Sequence, residues 1–460
     1  GSRVMYDMPV CQYMTLEPAK TLKRSEGHHW KKLHGGRRIG RKSMGYEGLV
    51  IGGGAAGLMA AITAKENGAD VAILEHMPRV GKKILSTGNG KCNLTNLRLT
   101  GDCYRSREEA FPMAVIERFP VPETLSFFRR LGVVTTERNG YVYPASGQAQ
   151  TVLDALRDKT ESLGIKTVTE CKISVIEKTK SGFLVKTGQG TFFCRFVILA
   201  AGSMAAESTG SDGSGYVLAK ALGHKIIKPL PALVQLKCRG DFFKSIAGVR
   251  TEAAVSLYTI GKYGERKDFL ASDRGELQLT DYGISGIPVF QVSRYAAEAL
   301  DRKKRLLAAI DFYPDSTVEE FYTLLKEQKT YLSDRTCSVF LNGIFHKKLA
   351  ALFLKAAGVG PDVPVASLTE RKLKEITEVI KDALFEVTGT NSYDKAQVCM
   401  GGVSTREINE KTMESRLVPG LYFAGEILDV DGICGGYNLQ WAWSSGHLAG
   451  MSAAKGTPAG

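Results

Sequence analysis

The stretch "YEGLVIGGGAAGLMAAITAKENGADVAILE", Tyr46 to Glu75, constrains this chain more than any other. It reads as strand, glycine turn, helix, turn and second strand. A short apolar strand ends at Ile51. Gly52, Gly54 and Gly57 follow in the spacing G-x-G-x-x-G, with Gly53, Ala55 and Ala56 between them. Leu58, Ala61 and Ile62 recur at helical spacing, Asn67-Gly68 closes the helix, and "DVAILE" is a strand ending in Glu75. The first glycine permits the tight turn. The second lets backbone amides approach a pyrophosphate at a helix N-terminus, and the third lets helix and strand pack closely. Glu75 lies 23 residues after Gly52, where a carboxylate takes ribose hydroxyls. It also disfavours a 2′-phosphate, so the pattern points to FAD or NAD rather than NADP. The signature occurs once, whereas matched domains for two dinucleotides would carry it twice.

Further glycine-rich turns recur far along the chain. "STGNGKCN", residues 86–93, follows Lys82 and Lys83. Residues 171–202, Ile173 among them, alternate as a β meander that runs into Ala200-Ala201-Gly202. "GLYFAGE" is a strand ending in Ala424-Gly425-Glu426, and a loop with Asp429, Asp431, Gly432, Gly435 and Gly436 comes next. "YNLQWAWSSGHLAG" then reads as a helix with small residues on one side. At a flavin, the N-terminus of that helix would stabilise negative charge on the reduced ring. These turns converge only if the chain folds back on itself, as a large dinucleotide-binding domain interrupted by an insertion does.

The character changes near residue 228. Alternation and turns predict strands through "LLAAIDFYPD", helical spacing predicts helices over 316–386, and strands return in "FEVTGTNSYDKAQVCMGGV". This reads as a barrel with a helical excursion. "GELQLTDYGISGIPV" reads as a glycine-rich turn leading into a helix.

Taken in order, "IGGGAAGLMAAI", "GKKILSTGNGKCNLTN", "YVYPASGQAQTVLDAL", "VILAAGS", "GELQLTDYGISGIPV", "AQVCMGGV" and "LYFAGEILDVDGICGGYNLQWAWSSG" resemble the BaiN-like/aminoacetone oxidase-like family of bacterial FAD-dependent oxidoreductases, over residues 48 to 450. The resemblance implies an α/β fold: an interrupted Rossmann-like FAD-binding domain, an inserted β-barrel domain and a small helical domain. It implies boundaries at 44–227 with 396–460, 228–315 with 387–395, and 316–386. By position, Gly52, Gly54, Gly57 and Glu75 match the dinucleotide motif. Lys82, Lys83, Gly88, Asn89, Gly90, Cys92, Asn93 and Leu94 match the loop near the flavin. Gly425, Glu426, Asn438, Leu439 and Gln440 match the C-terminal flavin motif. Gly53, Ala55, Ala56, His76, Ile173, Ala201, Gly202, Asp429, Gly435, Gly436 and Tyr437 complete the candidate cofactor set. Lys91, Cys399-Met400 and Cys434 depart from the family pattern, which bears on substrate rather than on cofactor.

Charge and cysteines narrow the functions. Of the net +13, residues 1–43 carry +7, from ten Lys/Arg against three Asp/Glu, and the remaining 417 residues carry +6. The first 43 residues are therefore expected to be a basic disordered leader or tag-derived sequence. The nearly balanced body argues against a nucleic-acid footprint. No apolar run is long enough for a membrane helix. The nine cysteines are scattered with no C-x-x-C pair, which points to reduced thiols in a cytoplasm and to no metal. Cys92 could be half of a redox disulfide, but its nearest partner in sequence is Cys103, outside the loop. We read it as a small residue near the flavin and only a weak catalytic candidate, as is Tyr437. His447 and His346 read as structural, and Trp441 and Trp443 as core.

Three activities are compatible with these residues. The first is hydride transfer from NADH or NADPH through FAD N5 to the activated C=C bond of a small or steroid-like enone. The second is O2-dependent oxidation of a small amine. The third is action on tRNA or other nucleic acid.

Overall fold

The computed structural model describes residues 44–456. The basic segment 1–43, expected to be a disordered leader, lies outside the described residues.

The predicted strand–turn–helix–strand unit is the seed of a five-stranded parallel sheet. Its strands are β1 (Gly48–Ile51), β2 (Val71–Leu74), β3 (Lys166–Val168), β4 (Phe196–Leu199) and β5 (Leu421–Phe423), in spatial order β5-β4-β1-β2-β3. Val50 lies opposite Ile73 on one side and Ile198 on the other. Strands β1, β2, β4 and β5 are buried along their whole length, as parallel strands covered on both faces must be.

Helix α1 (Ala55–Glu66) is apolar all round, because it lies between this sheet and the C-terminal helix α2 (Tyr437–Lys455). Small residues let the two helices touch. A Cβ on Gly446 would stand 2.5 Å from the Ala56 carbonyl oxygen, and one on Gly450 2.3 Å from that of Ala60. The small-residue face predicted from sequence is this contact.

The meander stands as its own sheet, Ile173–Thr179, Gly182–Thr187 and Gly190–Cys194, with Met44–Gly45 added in parallel at one edge. Its last predicted strand, β4, leaves it for the parallel sheet.

Between β4 and β5 the chain makes a long excursion. It departs along Ile226–Ala232 and returns along Val398–Val403, and these two strands pair antiparallel. Beyond them a six-stranded barrel closes from Leu236–Cys238, Gly283–Gly286, Arg266–Leu279, Arg250–Ile260, Leu306–Asp311 and Ala383–Thr390. Ala253, Val255 and Leu257 alternate inward into its core. Helices Val318–Tyr331, Lys347–Ala356 and Glu370–Lys381 form the helical excursion.

Two readings are corrected. "GELQL" is not a turn: it ends a 14-residue strand, and "GISG" is the next strand, so only residues 280–282 turn before helix Ile287–Asp301. The glycines there allow close strand pairing. A Cβ on Gly283 would stand 2.3 Å from the Leu236 carbonyl oxygen. The helical stretch also stops short of 386, because the strand Ala383–Thr390 must complete the barrel.

Candidate active site

A cleft of about 630 Å³ runs from the tips of the parallel strands to the base of the barrel excursion. At one end is the turn after β1. Gly52 has φ of +97°, and a Cβ on Gly57 would stand 1.9 Å from the Gly52 carbonyl oxygen. Gly54 differs from both: a Cβ there meets no atom within 4 Å, so the space beside it belongs to the cleft. The first turn of α1 holds no acidic residue, and its N-terminal amides lack partners within the helix. Glu75 is 7% exposed and held by backbone, accepting from Gly53 N–H at 2.7 Å and Met77 N–H at 2.8 Å. His76 is beside it, Nδ1 to Oε1 3.5 Å.

The loop 82–94 forms the next wall. Lys82 Nζ donates to the Ser208 carbonyl at 2.6 Å. Lys83 Nζ donates to Glu426 Oε2 at 2.5 Å, joining this loop to the turn after β5, and Ser203 Oγ donates to the same oxygen at 3.2 Å. Gly88 and Asn89 both take positive φ, which bends the loop tightly enough to present Asn93 to the cleft.

Asn93 is the most informative residue here. It is 8% exposed, and its Oδ1 has no hydrogen-bond partner among the described residues. A buried acceptor left unpaired costs about 1–3 kcal/mol. It faces Gly436, where a Cβ would lie 2.8 Å from that Oδ1, at the N-terminus of α2. A glycine cradle, a backbone-held acid and an orphaned amide along one cleft fit an elongated, hydrogen-bonding cofactor with an anionic middle.

Of the sequence candidates, Gly52, Gly54, Ala55, Ala56, Glu75, His76, Lys82, Lys83, Gly88, Asn89, Asn93, Ile173, Ala201, Gly202, Gly425, Glu426, Gly435, Gly436, Asn438 and Leu439 line the cleft. Others are placed elsewhere. Gly53 and Gly57 act through backbone and packing, and Gly90 is an exposed turn residue. Leu94 is fully buried, its carbonyl accepting from Trp443 Nε1 at 3.0 Å. Asp429 is buried and accepts from Arg107 N–H at 3.3 Å. Gln440 is fully buried, accepting from Thr95 Oγ1 and donating to Phe119 O, Thr124 Oγ1 and Ser444 Oγ.

Both weak catalytic candidates lie off the cleft. Tyr437 is 6% exposed, and its phenol donates to the Arg98 carbonyl at 2.9 Å. Cys92 is fully buried in a left-handed turn (φ +58°), and burial pushes its thiol up to about 12. All eight cysteines among the described residues are free thiols. Trp441 and Trp443 are wholly buried. His447 stacks on Phe119 at 4.0 Å, and burial lowers its pKa to about 4. His346 is exposed and caps a helix through Lys348 N–H.

Sequence reasoning missed most of the far end. Tyr141, Tyr143, Leu233, Gln235 and Phe290 line the cleft there, together with Cys434, which stood out in the sequence as a departure bearing on substrate. The i, i+2 spacing of the tyrosines in "YVYP" was a usable signal, since alternate residues of a strand share a face. Nothing in the sequence places Gln235 or Phe290, which arrive with the barrel excursion.

A parallel sheet with this glycine turn and ribose-type acid at its strand tips, opening on one long cleft, defines a dinucleotide-binding protein of the Rossmann class. Within that class the chain belongs to the HI0933-like family. The model described as HI0933-like protein Rossmann domain matches residues 46–452. A 3-dehydro-bile acid delta(4,6)-reductase of Clostridium scindens is 43% identical over 408 residues, 88% of this chain and 98% of that protein. A ribosomal RNA dihydrouridine synthase of Haemophilus influenzae is 31% identical over 415 residues, 88% of this chain and 98% of its own. One of Escherichia coli is 29% identical over 400 residues, 87% and 96% of the two chains. Among the described residues, no helix is long and apolar enough to cross a membrane.

Proposed function

We propose that this protein is an FAD-dependent ene reductase. Electrons from NADH or NADPH pass through the flavin to a C=C bond conjugated with a carbonyl. One observation carries the reading: the names of the relatives describe a single transformation. Delta(4,6) reduction beside a 3-oxo group and conversion of uridine to dihydrouridine both saturate a C=C bond of an α,β-unsaturated carbonyl.

The α1 amides beside Gly54 would hold the cofactor's pyrophosphate, and Glu75 its ribose. Asn93 and the N-terminus of α2 would hold the ring. Bound FAD supplies the hydride chemistry. The chain keeps the ring end walled by Tyr141, Tyr143, Phe290 and Leu233, with an apolar portion suited to a flat substrate.

A 3-oxo-4,6-diene steroid is the first substrate class we assign, following the 43% identity. The uracil ring of RNA is the second reading, favoured by the two dihydrouridine synthases. Arg79, Lys82, Lys172 and Lys395 at the cleft walls are compatible with it.

The test is anaerobic. The purified protein should show a flavin spectrum that bleaches with NADH or NADPH and recovers on adding the dienone, with the saturated ketone as product. Recovery with a uridine-containing ribosomal RNA fragment but not with the dienone would select the second reading. Bleaching by a small amine and by neither nicotinamide would replace both with an amine oxidase.

A further inference from the structure

Two phenols face the cleft without partners. Strand Tyr141–Pro144 buries Val142 and Pro144 on one face and presents Tyr141 and Tyr143 on the other. Loops close in on both sides. A Cβ on Gly435 would meet the Tyr141 ring at 2.8 Å, and one on Gly88 would meet the Tyr143 ring at 3.6 Å. Asn96 Nδ2 donates to the Gly435 carbonyl at 2.9 Å, fixing the glycine loop against this strand. Neighbouring tyrosines donate to backbone, Tyr437 to Arg98 O and Tyr393 to Pro229 O, both at 2.9 Å. Neither cleft phenol makes a hydrogen bond within the described residues.

We propose that Tyr141 and Tyr143 form a two-donor oxyanion site for the carbonyl oxygen of the substrate. This rests on the ene-reductase reading and deepens it. Both phenols donate to the conjugated carbonyl. Bound reduced FAD would supply the hydride to the β-carbon, and the same two O–H groups would hold the enolate oxygen that forms as the C=C electron pair shifts. The α-carbon then takes a proton from water at the cleft mouth, and the carbonyl is restored. Donors already in place where charge develops are worth far more than donors that must reorganise.

The surroundings keep the phenols protonated. Burial raises Tyr141, and Cys434 and Asp273 raise it further against the opposing Arg98. Burial raises Tyr143 in the same way, with Tyr141 and Cys434 adding to it and Arg138 opposing.

The experiment uses the oxidised, FAD-loaded enzyme, where no turnover occurs. Binding of a 3-oxo-4,6-diene steroid should move its absorption band to longer wavelength, because donors polarise the dienone. Tyr141→Phe and Tyr143→Phe should each shrink that shift, and the double variant should abolish it. In turnover each single variant should lose about 100-fold in rate, as the removal of one oxyanion donor does. Tyr437→Phe, whose phenol lies off the cleft, should keep the full shift. A shift and rate unchanged in the double variant would overturn the oxyanion site alone. A wild type that neither binds the dienone nor reduces any conjugated carbonyl would overturn the functional reading and this site together.

Discussion

At one end of the cleft the wall is mostly backbone: Gly52, Gly54, the first turn of α1, and Ala201-Gly202. At the other it is mostly side chain: Tyr141, Tyr143, Gln235, Phe290 and Cys434. The first end is shaped by what is missing from Cβ positions, the second by groups contributed from four separate stretches of chain. A cradle of backbone amides depends on glycine at particular positions, so few substitutions leave its shape intact. A wall of side chains can be rebuilt for another substrate with the cradle unchanged. This division fits a family whose members include a bile-acid reductase and ribosomal RNA dihydrouridine synthases.

The difference can be broken at single residues. The largest effect is expected at Gly57. Gly57→Val drives a side chain into the Gly52 carbonyl and should cost about 3 kcal/mol or more, read as a fall in denaturant midpoint. Gly54→Val separates binding from folding. Its Cβ has open space and its φ of −78° suits any L residue. The fold should hold while FAD affinity falls about 100-fold, or about 2.7 kcal/mol. A loss of stability as large as that of Gly57→Val would show that Gly54 is structural after all.

At the ring end, Asn93→Leu removes a buried acceptor with no protein partner. Stability without cofactor should hold or rise, and FAD affinity should drop about tenfold, measured by titrating apoprotein. An apoprotein destabilised by this change would mean that the amide serves the loop instead. The smallest effect is expected at Cys92. Cys92→Ala should cost about 1 kcal/mol, keep turnover, and remove no thiol that iodoacetamide reaches in the native protein at neutral pH.

The same division marks what the sequence disclosed. The parallel sheet, α1, α2 and the return after the excursion were legible because each depends on local pattern: apolar runs, glycine spacing and small residues three to four apart. Glu75 and Glu426 were legible as cleft residues because they follow strand ends, and Lys83 because it matches the family's loop near the flavin. Gln440 and Asp429 misled, since polar residues in a glycine-rich motif look like ligands when they are in fact satisfying buried hydroxyls and amides. Tyr437 misled for the same reason, and the strand pattern that presents Tyr141 and Tyr143 was passed over. Leu233, Gln235 and Phe290 could not be found, because their places depend on how the barrel excursion folds back, and no short-range pattern records that.

The chain leaves the parallel sheet at Leu199 and rejoins it only at Leu421, and α1 waits longer still for the small-residue face of α2. On the ribosome this order becomes a timetable. The barrel strands from Leu236 to Thr390 are all synthesised before β5 exists, so the inserted part can assemble while the sheet around it still has an open edge. The cleft cannot take its final form until β5 and the N-terminus of α2 have been made.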